Sequence, residues 1–454
     1  MGKYFGTDGI RGIVNDTLDA TLAFKVGCAA ATLLVENGTP DGEKPLILIG
    51  KDTRISSDML EAALIAGICS AGVDVTPLGV LPTPAVAYLT VQEKADLGIV
   101  ISASHNPYEH NGIKIFDSSG FKLPDALEER IERMIDGCET CVHKTHDKIG
   151  RVRPDNGRGL QKYIDYLAAA AECDVSGLRI AIDCANGAAS VTARRLFEKL
   201  GVDCTVLCDE PDGININTDC GSTHMNRLAE FVREGGYDLG FAFDGDADRC
   251  LCVDETGALV DGDRMMSVLG LAMKASGRLK SDTIVATVMS NMGFHAFAQE
   301  HGIALECAAV GDRNVLERMQ QCGAVLGGEQ SGHIIFLDSA TTGDGQLAAV
   351  KFLSVAAAAN QPVSRLADTF RQYPQVMVNI PVEGGNAAKE AIMQSRQLQE
   401  AIREQEKALG ASGRVLVRPS GTEALIRVMA EAKEEQTAWK TVETLVNVIK
   451  VLEI

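Results

Sequence analysis

The chain alternates short, nearly continuous apolar runs with longer stretches whose apolar positions recur at helical spacing, and one order of such segments returns three times. Residues 46–50 lead through a helix-like stretch, 58–71, into a second apolar run at 72–79. The segments 178–184, 188–200 and 201–207 repeat that order, and 283–289, 291–301 and 302–307 repeat it again. A buried strand, a helix and another buried strand make the βαβ unit of a parallel sheet covered on both faces. Three copies predict three related α/β domains.

Each copy runs on into a further apolar strand that ends in a polar loop. Residues 96–101 enter Ser102-Ala103-Ser104-His105-Asn106-Pro107, and 238–243 enter Asp244-Gly245-Asp246-Ala247-Asp248-Arg249. Residues 323–326 enter Gly327-Gly328-Glu329-Gln330-Ser331-Gly332-His333. Aligning the Asp-Leu-Gly starts at Asp96 and Asp238 sets Ser104 opposite Asp246. Ligands of open α/β sheets bind beyond the carboxyl ends of the strands, so the three loops are expected to line one cleft. The tail reads differently: strand 375–381, a charged helix 386–409, strands 413–417 and 423–430, and a last helix 434–452, which together predict a smaller α+β domain. The expected fold is three α/β domains with mixed, mainly parallel sheets plus a C-terminal α+β domain. Polar stretches at 151–159 and 254–257 and the Tyr373-Pro374 step divide it into 1–154, 155–256, 257–372 and 373–454.

Composition narrows the class. With 454 residues, 46% of them apolar, the chain can bury several cores. No apolar stretch approaches the roughly 18 residues of a membrane span, and the opening lacks the apolar core of a signal peptide, so no membrane partner and a cytoplasmic location are expected. Thirteen cysteines, an odd number, read as reduced thiols rather than a disulfide framework. Cys138 and Cys141, followed by His143 and His146, lack a second pair at zinc spacing, and neither a zinc site nor a redox role is expected of them. A net charge of -19 repels nucleic acid and anionic lipid alike. A phosphate ester would be repelled too, unless basic residues converge locally; Arg11, Lys51, Arg54, Lys114, Arg249, Arg418 and Arg427 are the candidates.

The loops carry the chemistry. Asp244, Asp246 and Asp248 can turn three carboxylates toward one point at the end of a buried strand, where their mutual repulsion calls for a hard cation such as magnesium. A calcium loop of the EF-hand type is excluded, because no glycine and glutamate follow at that spacing. Ser104 lies in a turn-forming run that would hold a hydroxyl at the mouth of its strand, and a nearby cation would neutralise charge as a phosphoryl group moves on or off it. Ser102, two residues earlier on the same strand face, is the competing nucleophile. Near the C-terminus, Arg418-Pro419-Ser420-Gly421-Thr422-Glu423 joins a forked cation, hydroxyls and a glycine into a phosphate cradle. Glu329, Ser331 and His333 alternate acceptors and donors suited to sugar hydroxyls, although His333 reads equally as a structural histidine.

Taken in this order and spacing, the four loops, with Phe5-Gly6-Thr7-Asp8-Gly9-Ile10-Arg11-Gly12, Gly50-Lys51-Asp52-Thr53-Arg54 and Gly343-Asp344-Gly345-Gln346, resemble the α-D-phosphohexomutase superfamily over essentially the whole chain. The resemblance implies four domains around a central cleft and a phosphoserine at Ser104, whose phosphoryl group shares one Mg2+ with Asp244, Asp246 and Asp248. It implies Arg249 beside that centre and Arg11 and Lys114 as candidates for general acid and base work. Glu329, Ser331 and His333 would hold the sugar; Arg418, Ser420, Gly421, Thr422 and Arg427 would grip the phosphate that is not reacting. The implied substrate is a hexosamine phosphate, passing through glucosamine 1,6-bisphosphate and feeding UDP-N-acetylglucosamine and cell-wall precursors, with glucose or mannose phosphates as the alternative. Ser57, Gln330 and Ala424 depart from common family choices and bear on fine specificity alone. Whether the chain forms a homodimer stays open.

Overall fold

The structure is a computed structural model and describes all residues except 1, 7, 38–43, 384, 421–424 and 453–454. It divides into two compact bodies, Met1–Met289 with Gly302–Thr369, and Ser290–His301 with Phe370–Ile454.

In the larger body the thrice-repeated pattern folds into three sheets of one topology. The strand that opens each repeat lies at the centre, flanked by its two parallel neighbours: Leu46–Lys51 between Asp74–Val80 and Leu97–Ile101, Arg179–Asp183 between Asp203–Leu207 and Leu239–Phe243, and Thr283–Thr287 between Ala304–Ala308 and Leu326–Gly328. A fourth strand then returns antiparallel: His110–Asp117, Cys250–Asp254 and Ile334–Phe336. Each polar loop is therefore the connection of an antiparallel hairpin grafted onto a parallel sheet, which accounts for the mixed, mainly parallel character. Leu97–Ile101 and Leu239–Phe243 are buried at every position, as strands covered on both faces must be. Their burial fixes where the loops begin.

Several expected boundaries move. The 188–200 helix is a 3-10 turn, Ala188–Val191, followed by the short helix Ala193–Lys199. The turn at 254–257 joins two strands of one sheet, Cys250–Asp254 and Leu259–Val260, so the second sheet runs past the expected division at 256. The crossover helix of the third repeat, Met292–Glu300, clusters with the smaller body. There Met292 N–H donates to Glu431 (3.0 Å) and the Asn291 side-chain amide to the Tyr373 carbonyl (2.9 Å).

The smaller body carries an antiparallel sheet, Gln375–Pro381, Leu425–Ala432 and Gly413–Pro419, with Leu425–Ala432 in the middle. The single charged helix expected over 386–409 is two helices, Gly385–Gln394 and Arg396–Leu409, parted at Ser395. The last helix, Glu435–Leu452, lays Ala438, Val442, Leu445 and Ile449 on the sheet at helical spacing. Among the described residues no helix is long and apolar enough to cross a membrane.

Candidate active site

The larger body brings the serine loop and the aspartate loop into contact. Ser104 Oγ donates to Asp244 Oδ2 at 2.6 Å, across 140 residues of sequence. The approach depends on Gly245: a Cβ there would stand 2.5 Å from the Ser104 carbonyl oxygen and 2.8 Å from Asn217 Nδ2. Ser104 itself takes a left-handed φ of 53°, a costly conformation for a residue with a side chain. Its carbonyl is held there by Arg54 Nη2 (2.9 Å) and Asn217 Nδ2 (2.9 Å), which both also reach the Asn106 carbonyl.

The competing serine is committed elsewhere. Ser102 Oγ donates to Asp52 Oδ2 (2.6 Å) and accepts from the Ser104 backbone N–H (3.0 Å), in full burial. Ser102 and Asp52 thus brace the turn that presents Ser104. Arg54, one of the basic candidates for the ligand, is buried against Asp52 (2.8 Å) and the loop carbonyls. Lys51 pairs with Asp58 (2.6 Å) and Glu61 (2.5 Å). Arg54 thus holds the serine loop by its backbone, and Lys51 stays away from the serine–aspartate centre.

Asp244, Asp246 and Asp248 are all buried and can present carboxylate oxygens within 4.8 Å of one another. Burial and then the neighbouring Asp248 and Asp246 push the Asp244 carboxyl well above the usual range. Asp248 is held below it: burial opposes its charge, but Lys114, His333 and Arg249 together prevail. Asp246 Oδ1 and Asp248 Oδ1 are buried without a hydrogen-bond partner, and such acceptors are costly unless a donor or cation meets them. Three oxygen ligands, two with unsatisfied lone pairs, fit a hard divalent cation such as magnesium.

Lys114, 1% exposed, is the hub of the cationic side. It reaches Asp246 Oδ2 (2.9 Å), Asp8 Oδ2 (3.0 Å) and Asp248 Oδ2 (3.6 Å). Burial would strip its proton, but Asp246, Asp8 and Asp248 prevail and hold it charged well above the ordinary lysine range. Arg11 pairs with Asp8, which also binds Lys122, and Lys122 in turn binds Asp312. Arg249 donates from Nη1 to His105 Nδ1 (3.1 Å), and the same ring nitrogen lies 3.3 Å from Ser104 Oγ. Burial, then the charges of Arg249 and Arg11, lower the His105 imidazole to about 4, so it is neutral at physiological pH. Thr83 Oγ1 adds a donor to Asp246 Oδ2 (2.7 Å).

The third loop docks on the second. Cys250 N–H donates to the Gly332 carbonyl and Gly345 N–H to the Ala247 carbonyl, both at 3.0 Å. Glu329 accepts from Gly311 N–H at Oε1 (3.0 Å) and lies 3.4 Å from Ser331 Oγ at Oε2. His333 is buried with Nδ1 3.7 Å from Asp248; burial opposes its charge, but Asp248 raises it to about 8. Its Nε2 accepts from Gly343 N–H (3.2 Å), a bond that the second proton would cost. His333 thus braces the aspartate loop and borders a cavity of about 230 Å3 that Lys122, Asp312 and Thr342 also line.

In the smaller body, Arg418 and Arg427 are direct cross-strand partners, so their side chains share one face of the sheet. Ser420 N–H donates to the Leu425 carbonyl (2.9 Å), and the buried Lys389 donates to the Ser420 carbonyl (2.7 Å). Gly421 and Thr422 lie outside the described residues. Asp8, Asp52, Thr83, His105, Lys122, Asn217 and Lys389 were not among the expected site residues. Asp8, Asp52 and His105 sit inside recognisable motifs without an expected role, and only chain folding brings the others to the loops.

Comparison with known proteins agrees with this architecture. Four family models of phosphoglucomutase/phosphomannomutase match in succession: α/β/α domain I over residues 2–140, domain II over 161–257, domain III over 261–373 and the C-terminal domain over 377–448. The chain belongs to the phosphoglucomutase/phosphomannomutase family, that is, to the phosphohexomutase superfamily. Its relatives include the phosphoglucosamine mutase of Acetivibrio thermocellus, 51% identical over 99% of both chains, and that of Desulforudis audaxviator, 50% identical over 99% of this chain and 98% of the other. Among solved structures it resembles a phosphoglucomutase/phosphomannomutase family protein of Burkholderia thailandensis (TM-score 0.80, 22% identity, 100% and 98% of the two chains covered). It also resembles the N-acetylphosphoglucosamine mutase of Aspergillus fumigatus, solved in complex with GlcNAc-6P and magnesium (TM-score 0.67, 18% identity, 99% and 96% covered).

Proposed function

We propose that the protein is a phosphoglucosamine mutase, an isomerase that interconverts glucosamine 6-phosphate and glucosamine 1-phosphate. The observation that carries the reading is the 2.6 Å contact of Ser104 Oγ with Asp244, inside a buried carboxylate trio with unsatisfied oxygens. Ser104 carries a phosphoryl group and gives it to the free hydroxyl of the bound sugar phosphate, forming glucosamine 1,6-bisphosphate. The sugar turns over, its other phosphate faces Ser104, and that phosphate returns to the serine as the product leaves. Mg2+ held by Asp244, Asp246 and Asp248 supplies charge neutralisation on the phosphoryl oxygens.

Around that centre the chain's own groups divide the work. Arg249, anchored by the neutral His105, and Arg11 stabilise charge on the phosphoryl group. Lys114, charged in its carboxylate cage, is a proton donor. Glu329 and Ser331 orient sugar hydroxyls, with His333 supporting them. Arg418, Ser420, Gly421, Thr422 and Arg427 hold the distal phosphate, and Lys389 steadies Ser420. Both ends of the sugar carry the same phosphate chemistry, so one cradle and one reacting centre serve both half-reactions. The protein acts in the cytoplasm, in four domains taken as 1–154, 155–260, 261–372 and 373–454, the second boundary moved from the expected 256 by strand Leu259–Val260.

The test is Ser104→Ala in a coupled assay with Mg2+, alongside intact mass. Turnover and the phosphoryl mass of the purified protein should both vanish; full activity in this variant would transfer the role to another residue. Glucosamine 6-phosphate should be converted faster than glucose 1-phosphate, and the reverse preference would favour a phosphoglucomutase/phosphomannomutase.

A further inference from the structure

We propose that Cys208 and Cys220 form a peroxide-responsive dithiol that closes to a disulfide and, through the segment between them, loosens the hold on the serine loop. Their sulfurs lie within 4.8 Å of each other and of an Asp183 carboxylate oxygen. Cys208 follows strand Asp203–Leu207 and is half-buried, so a small oxidant reaches it, whereas Cys220 is 1% exposed.

The two thiols are unequal in a way that suits the chemistry. Arg227 Nη1 stands 3.4 Å from Cys208 Sγ, a cation placed to favour a thiolate. The Cys220 thiol, donating toward Cys208, lowers the Cys208 thiol below its ordinary value, with Arg227 helping and burial and Asp183 opposing. Cys220 is correspondingly raised and keeps its proton. A contrasting pair is Cys28 with Cys141, where burial and the neighbouring Cys28 push the Cys141 thiol up to about 11. That pair should stay inert.

The steps balance. The Cys208 thiolate attacks one oxygen of hydrogen peroxide, the O–O bond breaks, Cys208 becomes a sulfenic acid, and the leaving hydroxide takes up the proton that Cys208 gave up on ionising, which makes the first water. Cys220 then attacks that sulfur through its own, its proton passes to the departing hydroxyl as water, and the disulfide remains. Two thiols are oxidised and one peroxide is reduced to two waters.

A zinc site is the competing reading of the same three residues. It is disfavoured because the Arg227 cation faces the Cys208 sulfur and because both Asp183 oxygens already accept backbone N–H groups, from Ala185 (2.9 Å) and Gly221 (3.0 Å). Among the described residues only these three ligands gather there, one short of a closed structural zinc site.

The consequence follows from what lies between and beside the cysteines. Asn217, three residues before Cys220, supplies the bonds to the Ser104 and Asn106 carbonyls. The sulfurs must close to about 2.05 Å to bond. Drawing Cys220 toward Cys208 pulls on Asn217, three residues away, and loosens its bonds to the Ser104 and Asn106 carbonyls that hold the serine loop.

The proposal rests on the Ser104 reading for its effect on rate but not for the disulfide. Full-length protein is treated with hydrogen peroxide, digested without reduction and mapped by mass spectrometry, while its mutase rate is followed before and after dithiothreitol. A 208–220 linkage with at least a fivefold, thiol-reversible loss of rate that is absent in Cys208→Ser is the expected result. No 208–220 linkage, or zinc retained by the purified protein and released when these cysteines are alkylated, overturns it. A linkage without any change of rate overturns the coupling through Asn217, and it does so whatever reaction Ser104 performs, because the rate of the untreated protein is its own reference.

Discussion

Gly245→Ala tests whether the two loops must meet as closely as they do. The added Cβ would stand 2.5 Å from the Ser104 carbonyl oxygen, where ordinary contact begins at 3.4 Å, so one loop must retreat by about 0.9 Å. The aspartate loop cannot yield freely, since Ala188 N–H holds the Gly245 carbonyl (2.8 Å) and Thr83 holds Asp246. The serine loop is gripped by Arg54 and Asn217, and Asn217 Nδ2 is itself 2.8 Å from the new carbon. Overpacking of this kind costs roughly 1–3 kcal/mol of stability, which a multidomain protein survives. Catalysis is more sensitive, because a misplacement of about 1 Å between reacting groups costs on the order of 100-fold in rate. The assay is kcat for glucosamine 6-phosphate with saturating Mg2+, with Gly177→Ala as the control, a glycine whose added Cβ would meet nothing within 4 Å. A Gly245→Ala kcat within threefold of wild type, in folded protein, would refute the claim that this contact sets the reacting geometry.

Two further outcomes follow from other residues. Asp344 is buried, caps helix Gly345–Ala359 through Leu347 N–H (2.9 Å) and accepts from Tyr163 Oη (2.9 Å), while burial raises its carboxyl from 3.8 to about 6. The folded state therefore binds the proton more tightly than the unfolded one between these values, so stability should fall as pH rises from about 4 to 6, by about 3 kcal/mol. Asp344→Asn keeps a cap acceptor and should lack that fall; a melting-temperature difference between the two proteins that does not change with pH would count against it. Arg418→Ala should raise the apparent KM for the sugar phosphate roughly 10- to 100-fold, as loss of a charged hydrogen bond of about 1.5–3 kcal/mol implies, with kcat little changed. An unaltered KM would remove Arg418 from the distal phosphate.

The parts of the fold that were legible in the sequence are those written in short-range pattern. The apolar runs at 97–101 and 239–243 are buried on both sheet faces, so no alternation hides them, and the loops they feed stood out by composition. Mixed sheets were expected, but the returning strand His110–Asp117 was not placed, because it mixes Asn, Lys and Asp into an apolar run and buries Lys114 only through its distant partners Asp8, Asp246 and Asp248. The break at Ser395 was missed for the opposite reason: the helical periodicity is good on both sides, and only the N-terminal turn of Arg396–Leu409 marks the change. At the site, Ser104 and the aspartates carry their own motif, whereas Asn217, Thr83 and Lys122 contribute hydrogen bonds or ion pairs from ordinary surroundings. No local spacing encodes such a contact.

Charge bears on how an acidic chain would hold the proposed phosphoserine. Around the reacting centre the ion pairs described above join Asp8, Asp246, Asp248 and Asp312 to Arg11, Lys114 and Lys122, and the charge of Arg249 faces Asp244 and Asp248. Asp244 is the carboxyl that burial and its two neighbours push up, so the cluster already strains to hold its negative charge. A phosphoryl group on Ser104 would add about 1.5 to 2 negative charges at neutral pH to this buried carboxylate cluster. One divalent cation among the aspartates would offset that charge, and the unsatisfied oxygens of Asp246 and Asp248 are placed to bind it. The phosphoserine and the cation should therefore be mutually dependent: chelation should destabilise the phosphorylated protein more than the Ser104→Ala variant, and equal losses of melting temperature in the two would break this link.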